Sequence, residues 1–147
     1  MELDVGDADR VEELVELASV FLSDLGGQRS LVVHGDEGSA AAVVQTFHGL
    51  TYEELDSLMF EFGDLAGRYI GVYSERRKGR YVLMVPLRDG AGDCLGWLYV
   101  DSLHSFAEEA FDSLDQFARR YISLLLEICV LRPALPPQRR ARAGEDL

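Results

Sequence analysis

The sequence contains few cysteines and no long apolar run. Its two cysteines, Cys94 and Cys129, form no CxxC pair and have no histidine at the spacing of a zinc site, so neither a disulfide framework nor structural zinc is indicated. No apolar run approaches the roughly 20 residues of a membrane span, and Met1 is followed by Glu2 and Asp4 instead of a basic signal-peptide region. We therefore expect a cytoplasmic protein that makes no membrane contact and needs no metal or other cofactor.

Basic residues are scarce in the first part of the chain. Residues 1–64 hold 15 acidic and 2 basic side chains, whereas the remainder holds 11 acidic and 12 basic ones, for a net charge of -12. An acidic surface repels phosphate backbones, so nucleic acid is not an expected partner. The excess of acid has an ordinary explanation in solubility. The alternative is that acidic helices of one chain face basic loops of another.

Catalytic motifs are also missing from the sequence. It shows no Ser/His/Asp order, no glycine-rich phosphate loop and no paired metal-ligand spacing. Asp101 is an isolated carboxylate at the end of an apolar run, where a short acidic side chain is expected to organise the following loop. We therefore expect a protein that is not an enzyme.

The clearest positive signal is the stretch Tyr81–Ser102, which predicts two strands joined by a polar turn. Its residues alternate between two faces that are both apolar; in the second strand Leu95, Trp97 and Tyr99 lie on one face and Leu98 and Val100 on the other. Strands that are apolar on both faces need cover on both sides. The fold class predicted is therefore α/β (α+β), with a central antiparallel sheet of about five strands between a middle helix and a layer of N- and C-terminal helices.

Three capping boxes mark the predicted helix starts: Asp9-x-x-Glu12, Thr51-x-x-Glu54 and Ser105-x-x-Glu108. The predicted helices are Asp9–Leu25, Thr51–Ala66 and Ser105–Leu131. The further strands are Ser30–His34, Ser39–Phe47 and Tyr69–Glu75. We expect a flexible N-terminus over residues 1–8, one folded domain over 9–131, and a disordered tail rich in proline and arginine over 132–147.

The first and last predicted helices carry more apolar surface than packing on one sheet requires. Such a surplus indicates a second interface. We predict a homodimer whose interface includes Leu14, Phe21, Phe117, Leu124 and Leu131.

Two consecutive runs, Val85–Ser102 and Ser105–Glu127, carry a recognisable set of residues. These are Pro86, Gly96, Leu98, Tyr99, Asp101, Phe106, Glu108 and Glu109. With them the two runs resemble the C-terminal half of a GAF domain, whereas the N-terminal half of the chain matches only in its order of elements. The resemblance implies a GAF or profilin-like architecture and a sensory or regulatory module of a signalling pathway. Such modules bind a small molecule or a protein partner, and they often pair through their terminal helices.

A GAF-type pocket would lie over one face of the sheet, beneath the middle helix. The residues that could line it are Phe47, Tyr52, Phe60, Tyr69, Tyr73, Met84, Trp97, Tyr99 and Asp101. Aromatic residues at such positions are more often part of the core than ligand contacts. The residue pattern of the cyclic-nucleotide-binding members is absent, and so is an evident attachment residue for a bilin.

Four cations cluster at the tip of a predicted hairpin: Arg76, Arg77, Lys78 and Arg80. Such a cluster is usually a solvated turn that also blunts a sheet edge. The functional alternative is that these residues dock an anionic ligand or an acidic partner surface.

Two other functions are alternatives. The roadblock fold has the same order of elements and would make the chain a dimeric regulator of a small GTPase. The short middle segment and the compact size favour it. A free methionine sulfoxide reductase would use a nucleophilic and a resolving thiol. Cys94 and Cys129 are the only thiols for that role, and their predicted positions in a turn and a helix place them too far apart.

Overall fold

The described part of the chain forms three helices and five strands. The computed structural model describes residues 5–35, 42–68 and 73–130. In chain order the elements are α1 (Val5–Asp24), β1 (Arg29–Gly35), β2 (Ala42–His48), α2 (Tyr52–Arg68), β3 (Tyr73–Arg77), β4 (Arg80–Arg88), β5 (Cys94–Ser102) and α3 (Ala110–Val130). The predicted residues Tyr69 and Leu131, the start of the Ser39–Phe47 strand and the 132–147 tail lie outside the described residues.

The strands form one antiparallel sheet in the order β2-β1-β5-β4-β3, so β5 is its middle strand. One face packs against α1 and α3, where Leu22, Leu98 and Leu114 are fully buried. The other face packs against α2, where Leu31, Met84 and Phe62 are buried. This arrangement confirms the predicted fold class. It also explains why both faces of the central strand pair are apolar, since each face is covered by helices.

A β-bulge changes the expected alternation at the start of β5. Leu87 pairs with Gly96 but Arg88 pairs with Cys94, so Leu95 is an extra residue between two paired positions. Its side chain packs against the cluster on the α1 and α3 face. The prediction that Leu95 shares a face with Trp97 is therefore wrong, because the bulge reverses its direction.

The capping box at the start of α2 is confirmed. The Thr51 backbone N–H donates to Glu54 Oε1 at 2.8 Å, and the Glu54 N–H donates to Thr51 Oγ1 at 3.1 Å. Leu50 and Leu55 join the same apolar cluster on either side of this box, as a hydrophobic staple does. The cap fixes where α2 begins, and with it the position of Glu54.

The other two predicted helix starts are wrong. Helix α1 begins at Val5, so Asp9 is already inside it. Helix α3 begins at Ala110, because a turn closed by the Ala110 N–H and the Ala107 carbonyl separates Ser105 from the helix. A capping-box pattern is short enough to occur without forming a cap.

Tyr121 of α3 is a buried polar residue in the α1 and α3 core, only 1% exposed. Among the described residues its hydroxyl has no hydrogen-bond partner, and burial raises the pKa of Tyr121 well above its usual range. We expect Tyr121→Phe to raise the free energy of unfolding by about 1 kcal/mol, because it removes a buried donor that is not satisfied. Urea unfolding followed by fluorescence measures the change.

Tyr99→Phe is the matched control for Tyr121→Phe. Tyr99 is equally buried, but its hydroxyl donates to Asp101 at 2.5 Å. The same chemical change should therefore lower the free energy of unfolding at this position. A loss of stability in Tyr121→Phe would show that its hydroxyl is satisfied in solution.

Candidate ligand-binding cleft

Asp101 lies at the centre of a buried hydrogen-bond network at the end of β5. It is 0% exposed. Arg29 donates from Nε to Oδ1 at 2.9 Å and from Nη2 to Oδ2 at 2.7 Å, which is a bidentate contact. Arg80 Nη1 donates to Oδ1 at 3.2 Å, and the Tyr99 hydroxyl donates to Oδ2. Two guanidinium groups and one hydroxyl therefore converge on a single carboxylate.

The sheet register explains this convergence. Arg29 on β1 is the direct partner of Asp101 on β5, and Tyr99 precedes Asp101 by two residues and so lies on the same face. Val82, two residues after Arg80 on β4, pairs with Asp101 from the other side. All four network side chains thus lie on the face of the sheet that α2 covers.

Hydrogen bonding and burial shift the pKa values of two side chains in the network, Arg29 and Tyr99. The hydrogen bond to Asp101 raises the pKa of Arg29, although partial burial acts in the opposite direction. Burial, and then the bond to Asp101, raise the pKa of Tyr99 far above its usual range. Tyr99 therefore stays protonated and donates its hydroxyl at neutral pH.

A cleft of about 380 Å³ lies beside this network, between α2 and the strands. One wall is acidic and comes entirely from α2: Glu53, Glu54 and Glu61. The opposite wall is basic and comes from β1, the β3–β4 hairpin and β4: Arg29, Arg77, Lys78 and Arg80. Apolar and aromatic side chains form the floor: Leu58, Phe62, Val82 and Tyr99.

Ion pairs cross the cleft at two places. At one end Arg29 Nη1 lies 3.4 Å from Glu54 Oε2, and at the other Arg77 Nη2 lies 2.9 Å from Glu61 Oε2. Lys78 Nζ is 3.7 Å from the same Glu61 oxygen. Since Glu54 and Glu61 are seven residues apart on α2, the two crossings are separated by about 10 Å.

Glu54 contacts both the start of its own helix and the basic wall on the other side of the cleft. The hydrogen bond from the Thr51 N–H, and then the charge of Arg29, lower the pKa of Glu54. Its carboxylate therefore stays ionised while it caps α2 and faces the basic wall.

The structure brings part of the predicted ligand set to the cleft. Tyr99 lines it and Asp101 lies behind it, whereas Met84 and Trp97 are buried in the core beneath α2. Phe47 contacts the ring of Tyr52 at 5.7 Å between centroids, away from the cleft lining. Tyr52 is 78% and Phe60 is 91% exposed on α2, so these two side chains face solvent. The side chain of Tyr73 lies outside the described residues.

Three of the four predicted hairpin cations line the same cleft: Arg77, Lys78 and Arg80. Arg76 does not, because its guanidinium lies over the Tyr81 ring at 5.2 Å. Sequence reasoning missed the remaining charged lining residues, which are Arg29, Glu53, Glu54 and Glu61. Arg29 had one available signal, since it is one of only 2 basic residues in the first 64.

The predicted dimer residues fall into two groups. Leu14 is buried within this chain, and Phe21 stacks on Phe117 with ring centroids 4.1 Å apart. The predicted Leu124 on α3 is 39% exposed, and Leu131 lies outside the described residues. Leu17 on α1, which was not predicted, is 52% exposed. An apolar, partly exposed surface therefore runs beside the α1–α3 contact.

Other types of site find little support among the described residues. No group of three or more histidine, cysteine and acidic side chains is placed to hold a metal ion there. The Cys94 thiol donates to the Gly96 carbonyl at 3.2 Å. None of the helices in residues 5–130 that the structure describes is long and apolar enough to cross a membrane.

Comparisons with known proteins give a consistent result at the level of fold. No protein-family model matches the sequence, and no curated protein matches it. The GAF domain/HD domain protein from Geobacter sulfurreducens is similar in structure, with a TM-score of 0.65 and 13% identity over 88% of this chain and 100% of that one. So is the GAF domain of a Pseudomonas syringae pv. tomato protein described as a sensor histidine kinase, with a TM-score of 0.61 and 19% identity over 85% and 87% of the two chains.

A third similar structure comprises residues 122 to 287 of a methyl-accepting chemotaxis protein, with a TM-score of 0.61 and 18% identity over 82% of this chain and 90% of that one. Identities this low show the fold alone. The chain therefore has a GAF-like fold, as the Val85–Glu127 resemblance implies. This result favours the GAF interpretation of the fold over the roadblock alternative.

Proposed function

We propose that this chain is a non-catalytic sensory or regulatory module that binds a small molecule in the cleft between α2 and the sheet. The observation that carries the proposal is the cleft itself, with charged walls of opposite sign above an apolar floor. Its volume of about 380 Å³ falls in the range of small-molecule sites. The similar domains of a sensor histidine kinase and a chemotaxis protein support a sensory role.

We also propose that the module is a homodimer formed through α1 and α3. Leu17 precedes Phe21 by one helical turn, and Leu124 follows Phe117 by two turns, so each lies on the same side of its helix as the stacked phenylalanines. Leu17 and Leu124 are the exposed members of this set. A second copy of the same surface would bury them. A signal could then leave the module through the relative position of the paired helices.

Native mass spectrometry of the purified protein tests both parts of the proposal. We expect a dimer that carries additional mass from a retained small molecule. A dimer without added mass would support the interface and would favour binding of a protein partner over binding of a small molecule. A monomer without added mass would contradict the proposal.

The double substitution Leu17→Glu and Leu124→Glu sharpens the test of the interface. Because both side chains are exposed in one chain, we expect the fold to persist while dimer affinity falls by at least roughly 100-fold. Phe60→Glu is the matched control, since Phe60 is more exposed but lies on α2, and it should leave the dimer intact. A double variant that stays dimeric at wild-type affinity would refute this interface.

A further inference from the structure

We propose that the ligand of the cleft is a small zwitterion with an apolar body, of the chemical class of an apolar α-amino acid. The inference rests on the proposed small-molecule function of the same cleft and specifies the charge of its ligand. It follows from how charge is distributed over the two walls.

The lining carries nearly balanced charge. The basic wall carries four cations: Arg29, Arg77, Lys78 and Arg80. The acidic wall carries three carboxylates: Glu53, Glu54 and Glu61. Asp101, which lies behind the basic wall and pairs with Arg29 and Arg80, supplies a fourth negative charge. A simple anion that is attracted by the arginines would also lie close to the glutamates of α2. A simple cation that is attracted by the glutamates would also lie close to the arginines. Each would lose hydration and meet repulsion from one wall. A molecule that carries both charges meets attraction from both walls.

The walls also determine how such a ligand would be oriented. The carboxylates all belong to α2, and the cations all belong to the strands and the β3–β4 hairpin, so an ammonium group would point to the helix and a carboxylate to the sheet. Among the described residues Glu53 makes no ion pair, which leaves its carboxylate available for an ammonium group. Lys78 is 81% exposed and pairs with Glu61 at 3.7 Å, so it can turn to a ligand carboxylate at little cost.

The floor accounts for the apolar body. Phe62, Val82 and Tyr99 form the apolar base of the cleft between the charged walls. Each is at most 3% exposed, so only an edge of each side chain reaches the cleft. Arg77 lies over the Phe62 ring at 5.5 Å, which closes one end of this base. An apolar side chain of a zwitterion would lie on it and displace water.

The test begins with the intact protein and a mixture of the apolar L-amino acids at millimolar concentration. A ligand that binds the folded state raises the melting temperature by mass action. We expect at least one of these amino acids to raise the melting temperature. In titration calorimetry, its N-acetyl and amide derivatives should bind at least tenfold more weakly than the amino acid itself. The N-acetyl derivative lacks the ammonium group and the amide lacks the carboxylate, so each should meet only one wall.

Substitutions assign the effect to the cleft. Glu53→Gln should weaken binding of the zwitterion at least tenfold. It should lower the melting temperature of the free protein only slightly, because it removes one carboxylate from the first turn of α2. Asp56→Asn is the matched control, because Asp56 is an exposed carboxylate of α2 that does not line the cleft, and it should bind as the wild type does.

The outcomes separate this inference from the proposed function. Preferred binding of the N-acetyl derivative or the amide would overturn the zwitterion and leave a ligand-binding cleft in place. A retained molecule in the native mass spectrum without binding of any amino acid would do the same. No binding by any probe, together with no retained molecule, would refute both.

Discussion

Replacing Asp101 with alanine is expected to lower the free energy of unfolding by about 3–5 kcal/mol. Asp101 is fully buried and accepts hydrogen bonds from Arg29, Arg80 and Tyr99. The substitution leaves two guanidinium groups and a hydroxyl without their shared acceptor in a partly buried site. Unpaired buried charge costs far more than an ion pair gains, which is why removing one partner has so large an effect.

Two further variants make this expectation specific. Asp101→Asn keeps the shape of the side chain but loses its charge, so we expect a smaller loss than with alanine. Asp115→Asn breaks an exposed ion pair with Arg119 within one turn of α3 and should cost no more than about 0.5 kcal/mol. Guanidinium unfolding of the three proteins gives the comparison. If Asp101→Ala cost as little as Asp115→Asn, the network would not stabilise the fold.

The sequence was informative where structure depends on local pattern. The alternation in Tyr81–Ser102 predicted a sheet covered on both faces, because every second residue of a strand points the same way. The box at Thr51 predicted a helix start that the structure confirms. The bulge at Leu95 was not predictable, since one extra residue in a strand leaves no mark on composition.

The cleft depends on long-range register and therefore could not be assembled from the sequence. The hairpin cations and Asp101 were both identified, but nothing local indicates that Arg29, 72 residues earlier, is the strand partner of Asp101. The glutamates of α2 look like the solvated face of an amphipathic helix. They become one wall of a site only because the β3–β4 hairpin lies opposite them.

Gly96→Ala is expected to destabilise the fold by about 3 kcal/mol or more, because a side chain at this position meets the backbone of the neighbouring strand. Gly96 pairs with His34 of β1 and with Leu87 of β4. A Cβ added at Gly96 would lie 2.0 Å from the Val33 carbonyl oxygen and 2.5 Å from the His34 Cα. The β1 backbone cannot turn away as a flexible side chain would, so β1 and β5 must separate in the centre of the sheet.

Gly63→Ala is the control that should move stability in the opposite direction. Gly63 lies inside α2, and a Cβ added there meets no atom within 4 Å. Alanine is favoured over glycine within a helix by about 0.5–1 kcal/mol, so this variant should be more stable than the wild type. Equal stability of Gly96→Ala and the wild type in urea unfolding would mean that the β1–β5 contact can relax. The register that joins Arg29 to Asp101 would then be held by their ion pair more than by the close packing of the two strands.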